Sequence, residues 1–209
     1  MQCLFLPIEF DKAAELMSLR DEINNADYKI FSKINGEWHN SFFDTFLPFL
    51  RQSYLWIPLY FFLAIFSPLN FKKNGWYWSL FFLSTAILSD YISSTLVKGT
   101  ILRLRPCQDP SIMEHLRLLV NFCPGNSSFT SSHAVNHFAA AMFIFTTFKK
   151  AVSKWWALLF VWAFVISYTQ VYVGVHFPGD VIGGAVLGLI IGFFPAKVFN
   201  KYVGLRNLN

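Results

Sequence analysis

From about residue 54 to residue 199 the chain repeats one pattern, a long apolar run followed by a polar gap. The runs cover 54–68, 76–97, 133–148, 155–173 and 181–199. The second has 22 residues, which as a helix reaches about 33 Å, enough to cross a bilayer. The first is short, but 46–50 lengthens it if Arg51 snorkels to the interface. Residues 9–50 are mixed. Lys12–Ile23 and Phe42–Leu50 have helical spacing with polar breaks and predict amphipathic helices lying on the membrane surface. Asn35-Gly36 reads as a turn between them. The pattern predicts an all-α polytopic membrane helical bundle. It has five transmembrane helices, or six if 42–50 also crosses. An amphipathic, interfacial segment, 1–52, precedes a transmembrane domain, 53–209.

Composition strengthens the membrane reading. Hydrophobic residues make up 55% of the 209 and charged residues 14%, against about 25% charge in an average soluble domain. The net charge of +5 is unevenly spread. Residues 1–51 hold five Lys/Arg and eight Asp/Glu, and the remainder holds 12 and four. The basic excess lies in and between the apolar runs, which speaks for topology and an anion site and against a nucleic-acid partner. Lys72 and Lys73, then Lys149, Lys150 and Lys154, then Lys197, Lys201 and Arg206 fall in alternate gaps with no acid among them. The positive-inside rule puts these gaps in the cytoplasm and the loops 98–132 and 174–180 outside. Cys107 and Cys123 share the longer outward loop; an oxidising exterior would allow them to pair, and the spacing alone does not decide it. Gly184, Gly188 and Gly192 form one smooth stripe for helix packing.

The outward loops carry the chemistry. Lys98 and Arg105 are seven apart, so a continuous helix puts them on one face until Pro106 stops it. A Lys point charge and an Arg fork together suit a tetrahedral oxyanion, although each also reads as an interfacial anchor. Ser131 and Ser132 precede a long apolar helix, where they cap it and leave N–H groups for an anion. His133 in the first turn is placed to move a proton. His137, one turn on, reads as a polar residue within the bundle, and no carboxylate or Cys completes a metal site with it. His176 and Asp180 flank Pro178-Gly179; a carboxylate on one ring nitrogen fixes the tautomer and frees the other to attack. Asp90, two turns before Lys98, either orients that lysine or sits in a wet bundle core.

Taken in order, Lys98-x6-Arg105-Pro106, then Ser131-x-His133, then His176-x3-Asp180 resemble the type 2 phosphatidic acid phosphatase superfamily over about residues 76–192. The stretch Val171-Tyr-Val-Gly-Val-His-Phe-Pro-Gly-Asp180 is an especially close match. The resemblance implies a metal-independent lipid phosphatase with no cofactor. His176 would be the nucleophile, Asp180 its orienting carboxylate and His133 the general acid and then base. Lys98, Arg105, Ser131 and the Ser132 N–H would hold the phosphate oxygens. Two departures stand out. Thr130-Ser131-Ser132-His133 replaces Pro-Ser-Gly-His. The third motif has Thr169-Gln170 where the family has Ser-Arg, which removes one cation; Arg103 or Arg117 in the outer loop is a candidate to compensate.

The expected function is therefore hydrolysis of a membrane lipid phosphate or pyrophosphate through a phosphohistidine, at the outer face of a bacterial inner membrane. Undecaprenyl pyrophosphate, lipid A phosphate, phosphatidylglycerol phosphate and phosphatidic acid are the substrates the family implies; compact size favours the polyprenyl pyrophosphate. A phosphotransferase using the same site, and a lipid-phosphate-binding protein weakened by Gln170, are the alternatives. The sequence leaves the oligomeric state open.

Overall fold

The computed structural model describes residues 7–148 and 154–205. Lys149, Lys150 and Arg206, three of the cations that set the predicted topology, lie outside them. The described residues form helices and loops and no strand: α1 (Pro7–Ser32), α2 (Ser41–Leu50), α3 (Ile57–Tyr91), α4 (Lys98–Thr100), α5 (Ser132–Phe148), α6 (Leu158–Tyr172) and α7 (Pro178–Tyr202). Two stretches, Ser53–Thr100 and Pro178–Tyr202, are long and apolar enough to cross a membrane, and α2 and α6 are shorter apolar helices. Only 22% and 28% of the most apolar windows of those two stretches are buried. Their apolar side chains therefore face outward, as lipid contact requires.

α3 is a folded-back pair. Lys72 sits at φ 50°, outside helical geometry. A Cβ on Gly75 would lie 2.1 Å from the Ser67 carbonyl oxygen, and the Ser79 hydroxyl donates to the Ala64 carbonyl at 3.0 Å. In a straight helix residues 64 and 79 would be about 22 Å apart. The two expected apolar runs are thus the arms of a hairpin with Lys72 and Lys73 at its tip. Asn74 Nδ2 donates to the Gly204 carbonyl at 3.0 Å, so the tip and the end of α7, with Lys197 and Lys201, share one end of the bundle.

α5 is the central helix. Its Ala-rich face lies against α7, and Phe143, Ile144 and Phe148 join Trp78, Phe82, Leu63 and Phe199 in the main core. Trp78 spends its N–H on the Thr147 hydroxyl at 2.8 Å. Gly184, Gly188 and Gly192 meet α5 backbone: added Cβ atoms would stand 2.8, 2.4 and 2.2 Å from the carbonyl oxygens of Ser131, Val135 and Ala139. The stripe is a packing surface inside the bundle. Gly188→Ala and Gly192→Ala are each expected to cost about 1–3 kcal/mol, read as a lower melting temperature in detergent. Gly36→Ala, whose methyl would meet nothing within 4 Å, should change little. Equal melting temperatures for all three would refute the close approach.

The N-terminal segment departs from the sequence reading. Residues 7–32 form one helix, and Asn35-Gly36 is not a turn but part of a π-helical continuation, Lys33–Glu37. The reason is tertiary: Asn35 is buried and its amide bridges the carbonyls of Arg117 and Tyr172, each at 2.8 Å. α2 begins as expected, with the Asn40 side chain accepting from Phe43 N at 2.9 Å and Asp44 favourably placed in the first turn. Phe42, Phe46 and Phe49 remain exposed. Phe31, Ile34 and Leu47 pack with Val171, Tyr172, Val173, Val175 and Phe177, so the segment from the end of α1 to α2 braces the loop that carries His176.

Candidate active site

Lys98 and Arg105 do not share a helix face. Helical structure ends at Thr100, and Ile101 and Arg105 are extended, at φ/ψ −105°/101° and −80°/156°. A residue preceding proline is disfavoured in the α region, and the strip 101–105 finds its hydrogen bonds elsewhere. Ser128 N donates to the Arg103 carbonyl at 2.8 Å, Ser127 Oγ to the Ile101 carbonyl at 2.5 Å, and Arg103 N to Ser127 Oγ at 3.1 Å. Cys107 and Cys123 form a disulfide with Cα atoms 6.0 Å apart, closing the loop beyond this zipper.

The zipper aims Arg105 inward. Nε donates to the Asn126 carbonyl at 2.9 Å, Nη2 to Asn126 Oδ1 at 2.7 Å, and Nη1 to the Val175 carbonyl at 2.9 Å; Nη1 also lies 3.1 Å from His176 Nε2. A guanidinium only donates, so Nε2 is the unprotonated ring nitrogen. The proton is on Nδ1, which faces Asp180 Oδ2 at 3.5 Å and Ser128 Oγ at 3.3 Å. His176 stands in a tight loop between α6 and α7. Its N–H and that of Val175 both donate to the Gln170 carbonyl, at 3.2 and 3.1 Å, and Gly174 takes φ 88° where the chain reverses. Burial, with Arg105 and Lys98 adding to it, pushes the imidazole pKa down to about 4, against the pull of Asp180. The ring is neutral at neutral pH.

Asp180 sits in the first turn of α7 and is fully buried. Oδ2 accepts from Phe177 N at 2.9 Å and from the Ser128 hydroxyl. Oδ1 accepts from Arg103 Nη1 at 2.7 Å. Arg103 Nη2 binds Asp27 of α1 at 2.5 Å, its Cζ lies 4.5 Å from the centre of the Phe177 ring, and Asp27 also accepts from Gly179 N at 2.7 Å. Asp27 and Ser128 escaped the sequence reading. Neither lies in a spacing pattern with the others; only the fold brings them together.

α5 enters the site by its N-terminus, tied to α7 where Ser131 N donates to the Asp180 carbonyl at 3.1 Å. The Ser131 hydroxyl caps Ala134 N weakly, at 3.5 Å, and Ser132 Oγ lies 3.0 Å from Ser94 Oγ. His133 Nε2 lies 3.2 Å from the Arg51 carbonyl, so that nitrogen carries a proton. His137 Nδ1 bonds the His133 carbonyl at 2.8 Å. Lys98 is only 7% exposed, and its ammonium makes no hydrogen bond or ion pair among the described residues. Asp90 contacts Asn136 Nδ2 at 3.1 Å and Ser94 Oγ at 3.4 Å, not Lys98 directly. Gln170 is buried; Nε2 reaches the Ile166 carbonyl at 3.3 Å and Thr169 Oγ1 at 3.2 Å, while Oε1 has no partner. Arg117 pairs with Asp44 at 2.6 Å and with the Asn35 carbonyl at 3.1 Å.

His176 and Arg105 from the loops, Asp180 from the first turn of α7 and the start of α5 thus meet at the bundle end opposite the lysine tip. Comparison with known proteins finds relatives over most of the chain. The lipid A 4'-phosphatase of Bacteroides thetaiotaomicron is 30% identical over 172 residues, 79% of this chain and 73% of that protein. The undecaprenyl-diphosphatase of Sulfolobus acidocaldarius is 30% identical over 153 residues, 73% and 68% of the two chains. Among solved structures, Aquifex aeolicus LpxE superposes with a TM-score of 0.57 at 29% identity, covering 81% of this chain and 94% of that one. The phosphatidylglycerolphosphate phosphatase of Bacillus subtilis shares the fold, with a TM-score of 0.65 at 23% identity over 87% and 88%. The PAP2 superfamily model matches residues 76–203, a span that holds every motif residue from Lys98 to Asp180, and the chain belongs to that superfamily of membrane phosphatases.

Proposed function

We propose that the protein hydrolyses a lipid phosphate through a phosphohistidine on His176 Nε2. The observation that carries this reading is the polarity of that ring. A carboxylate faces Nδ1 and a guanidinium donates to Nε2, so the unprotonated nitrogen is turned toward the cation that would hold an anion. In the first step Nε2 attacks phosphorus. The bond from phosphorus to the lipid oxygen breaks, and His133 gives that oxygen a proton. In the second step water, deprotonated by His133, attacks phosphorus. The P–N bond breaks, its electron pair returns to Nε2, and orthophosphate leaves. Lys98, Arg105, the Ser131 hydroxyl and the Ser132 N–H hold the phosphoryl oxygens. A buried lysine with no ion-pair contact among the described residues supports this, because a buried charge that carboxylates offset only from a distance is costly until an anion arrives.

A groove of about 690 Å³ runs between the two arms of α3 and α5, lined by residues such as Tyr60, Phe61, Leu80, Leu83 and Ala140, and reaches Asn136 and His137. Its upper end is one helical turn below His133, the right place for a hydrocarbon tail whose phosphate lies at the site. We read five crossings, the two arms of α3 with α5, α6 and α7, and the site outside. Two relatives named lipid A 4'-phosphatase align over 79% and 85% of this chain and make a lipid A phosphate the first substrate to try, ahead of the polyprenyl pyrophosphate. The test is orthophosphate release by purified protein from lipid A, undecaprenyl pyrophosphate, phosphatidylglycerol phosphate and phosphatidic acid, with EDTA present. Release without an added acceptor separates hydrolysis from phosphotransfer. Silence on the whole panel would sink the reading.

A further inference from the structure

The site as transferred from the motifs is one cation short, because Gln170 is uncharged and its amide is turned back on Ile166 and Thr169. Neither candidate substitute is free. The Arg103 guanidinium is shared between Asp27 and Asp180, and that of Arg117 is held by Asp44 and the Asn35 carbonyl. Both also point their charge at groups that already balance it.

Arg51 is different. It caps the C-terminus of α2, at a corner fixed by the Trp56 indole donating to the Leu50 carbonyl at 2.9 Å. Its own carbonyl is the group that His133 Nε2 touches, at 3.2 Å. Its Nε is buried with no partner, and its guanidinium makes no hydrogen bond or ion pair among the described residues. It lies close enough to Arg105 and His133 for their charges to interact. Lys98, Arg105 and Arg51 thus gather around one histidine pair, with Asp180 and Asp90 acting on Lys98 from beyond contact and no carboxylate in ion-pair contact with Lys98 or Arg51 among the described residues. Three cations offset only by Asp180 and the more distant Asp90 raise the energy of the empty site, and a phosphate group relieves it. A guanidinium also has the fork that matches two phosphate oxygens.

We propose that Arg51 is the third phosphate-binding cation of this site, delivered by the N-terminal helix α2 rather than by the motif position that Gln170 occupies. The assignment rests on the phosphatase reading above and extends it to a residue outside the 76–203 family match. It makes the N-terminal segment part of the anion site.

The experiment compares wild type with Arg51→Ala, Arg51→Gln and Arg51→Lys in detergent. Orthovanadate, a phosphate mimic, is titrated by calorimetry, and KM and kcat are measured on the best lipid phosphate. Removing the guanidinium should weaken vanadate binding and raise KM by roughly 10- to 100-fold, the range of a lost charge-assisted contact. Arg51→Lys should recover part of the loss, having charge without the fork, and added methylguanidinium should partly restore Arg51→Ala. A vanadate affinity within twofold of wild type in Arg51→Ala overturns the proposal. If that variant fails to fold, judged by gel filtration and melting temperature, Arg51→Gln decides by the same criterion. Vanadate binding needs no turnover, so the two readings fail separately. A wild type that binds vanadate through Arg51 but releases no phosphate sinks the hydrolase and keeps the cation. A wild type that turns over with Arg51 irrelevant does the reverse, and a wild type that does neither removes both.

Discussion

His176→Ala is expected to abolish phosphate release, with a loss of about five to six orders of magnitude in kcat, as for other nucleophiles whose removal leaves only binding. The same variant should form no acid-labile phosphoenzyme, whereas wild type quenched during turnover should. The argument is positional. His176 Nε2 is the one ring nitrogen of the cluster whose lone pair is oriented by a carboxylate on the far side of the ring and bordered by a guanidinium on the near side. His133 cannot replace it, because its Nε2 carries a proton that faces the Arg51 carbonyl. Lys98 and Arg105 remain in the variant, so vanadate should still bind. That retained binding separates a missing nucleophile from a collapsed site. Residual turnover above about a thousandth of wild type, with vanadate binding intact, would point instead to direct attack by water and would remove the phosphohistidine from the mechanism.

The motif residues were legible because each pairs a chemical type with a fixed spacing. His176 and Asp180 are bridged by one tight turn into α7, so four positions of sequence determine their contact. The apolar runs were equally legible, since lipid on one side and packed helices on the other leave few polar positions. Contacts made through the fold were not. The strip from Ile101 to Arg105 reads as helix by spacing, but Pro106 and the 126–128 zipper hold it extended. Asn35-Gly36 has turn composition, yet the buried amide of Asn35 holds it helical against the loop at Arg117. Asp27 and Ser128 support Asp180 from 153 and 52 residues away in sequence, and no local pattern marks them. Arg103 is the instructive case. A basic residue in the outer loop suggests phosphate, and the structure gives it to two carboxylates instead.

Asp180→Asn should lower kcat by about three to four orders of magnitude while leaving the fold intact, by the tautomer argument that holds wherever a carboxylate orients a catalytic imidazole. With a neutral amide opposite Nδ1, the ring is free to carry its proton on Nε2, and a protonated Nε2 has no lone pair for phosphorus. Arg103 would keep Asp27 and an amide oxygen at residue 180 but lose the second carboxylate's charge, so its hold on the loop would weaken. The pH profile gives a second, independent reading. Burial and the nearby cations hold the His176 pKa at about 4, with Asp180 opposing them. The neutral ring is the nucleophile, so the enzyme's own acid limb in wild-type kcat/KM should lie at about pH 4, below the 6.5 of an ordinary histidine. A limb near pH 6 from the second ionisation of a phosphate monoester belongs to the substrate and should stay in place in every variant. Removing the carboxylate takes away the one influence that raises the His176 pKa, so its limb should move lower in Asp180→Asn. Arg105→Ala removes an opposing charge, and its limb should move higher. Turnover within tenfold of wild type in Asp180→Asn, or a limb that rises, would mean that Asp180 holds the loop through Phe177 and Ser128 without orienting the nucleophile.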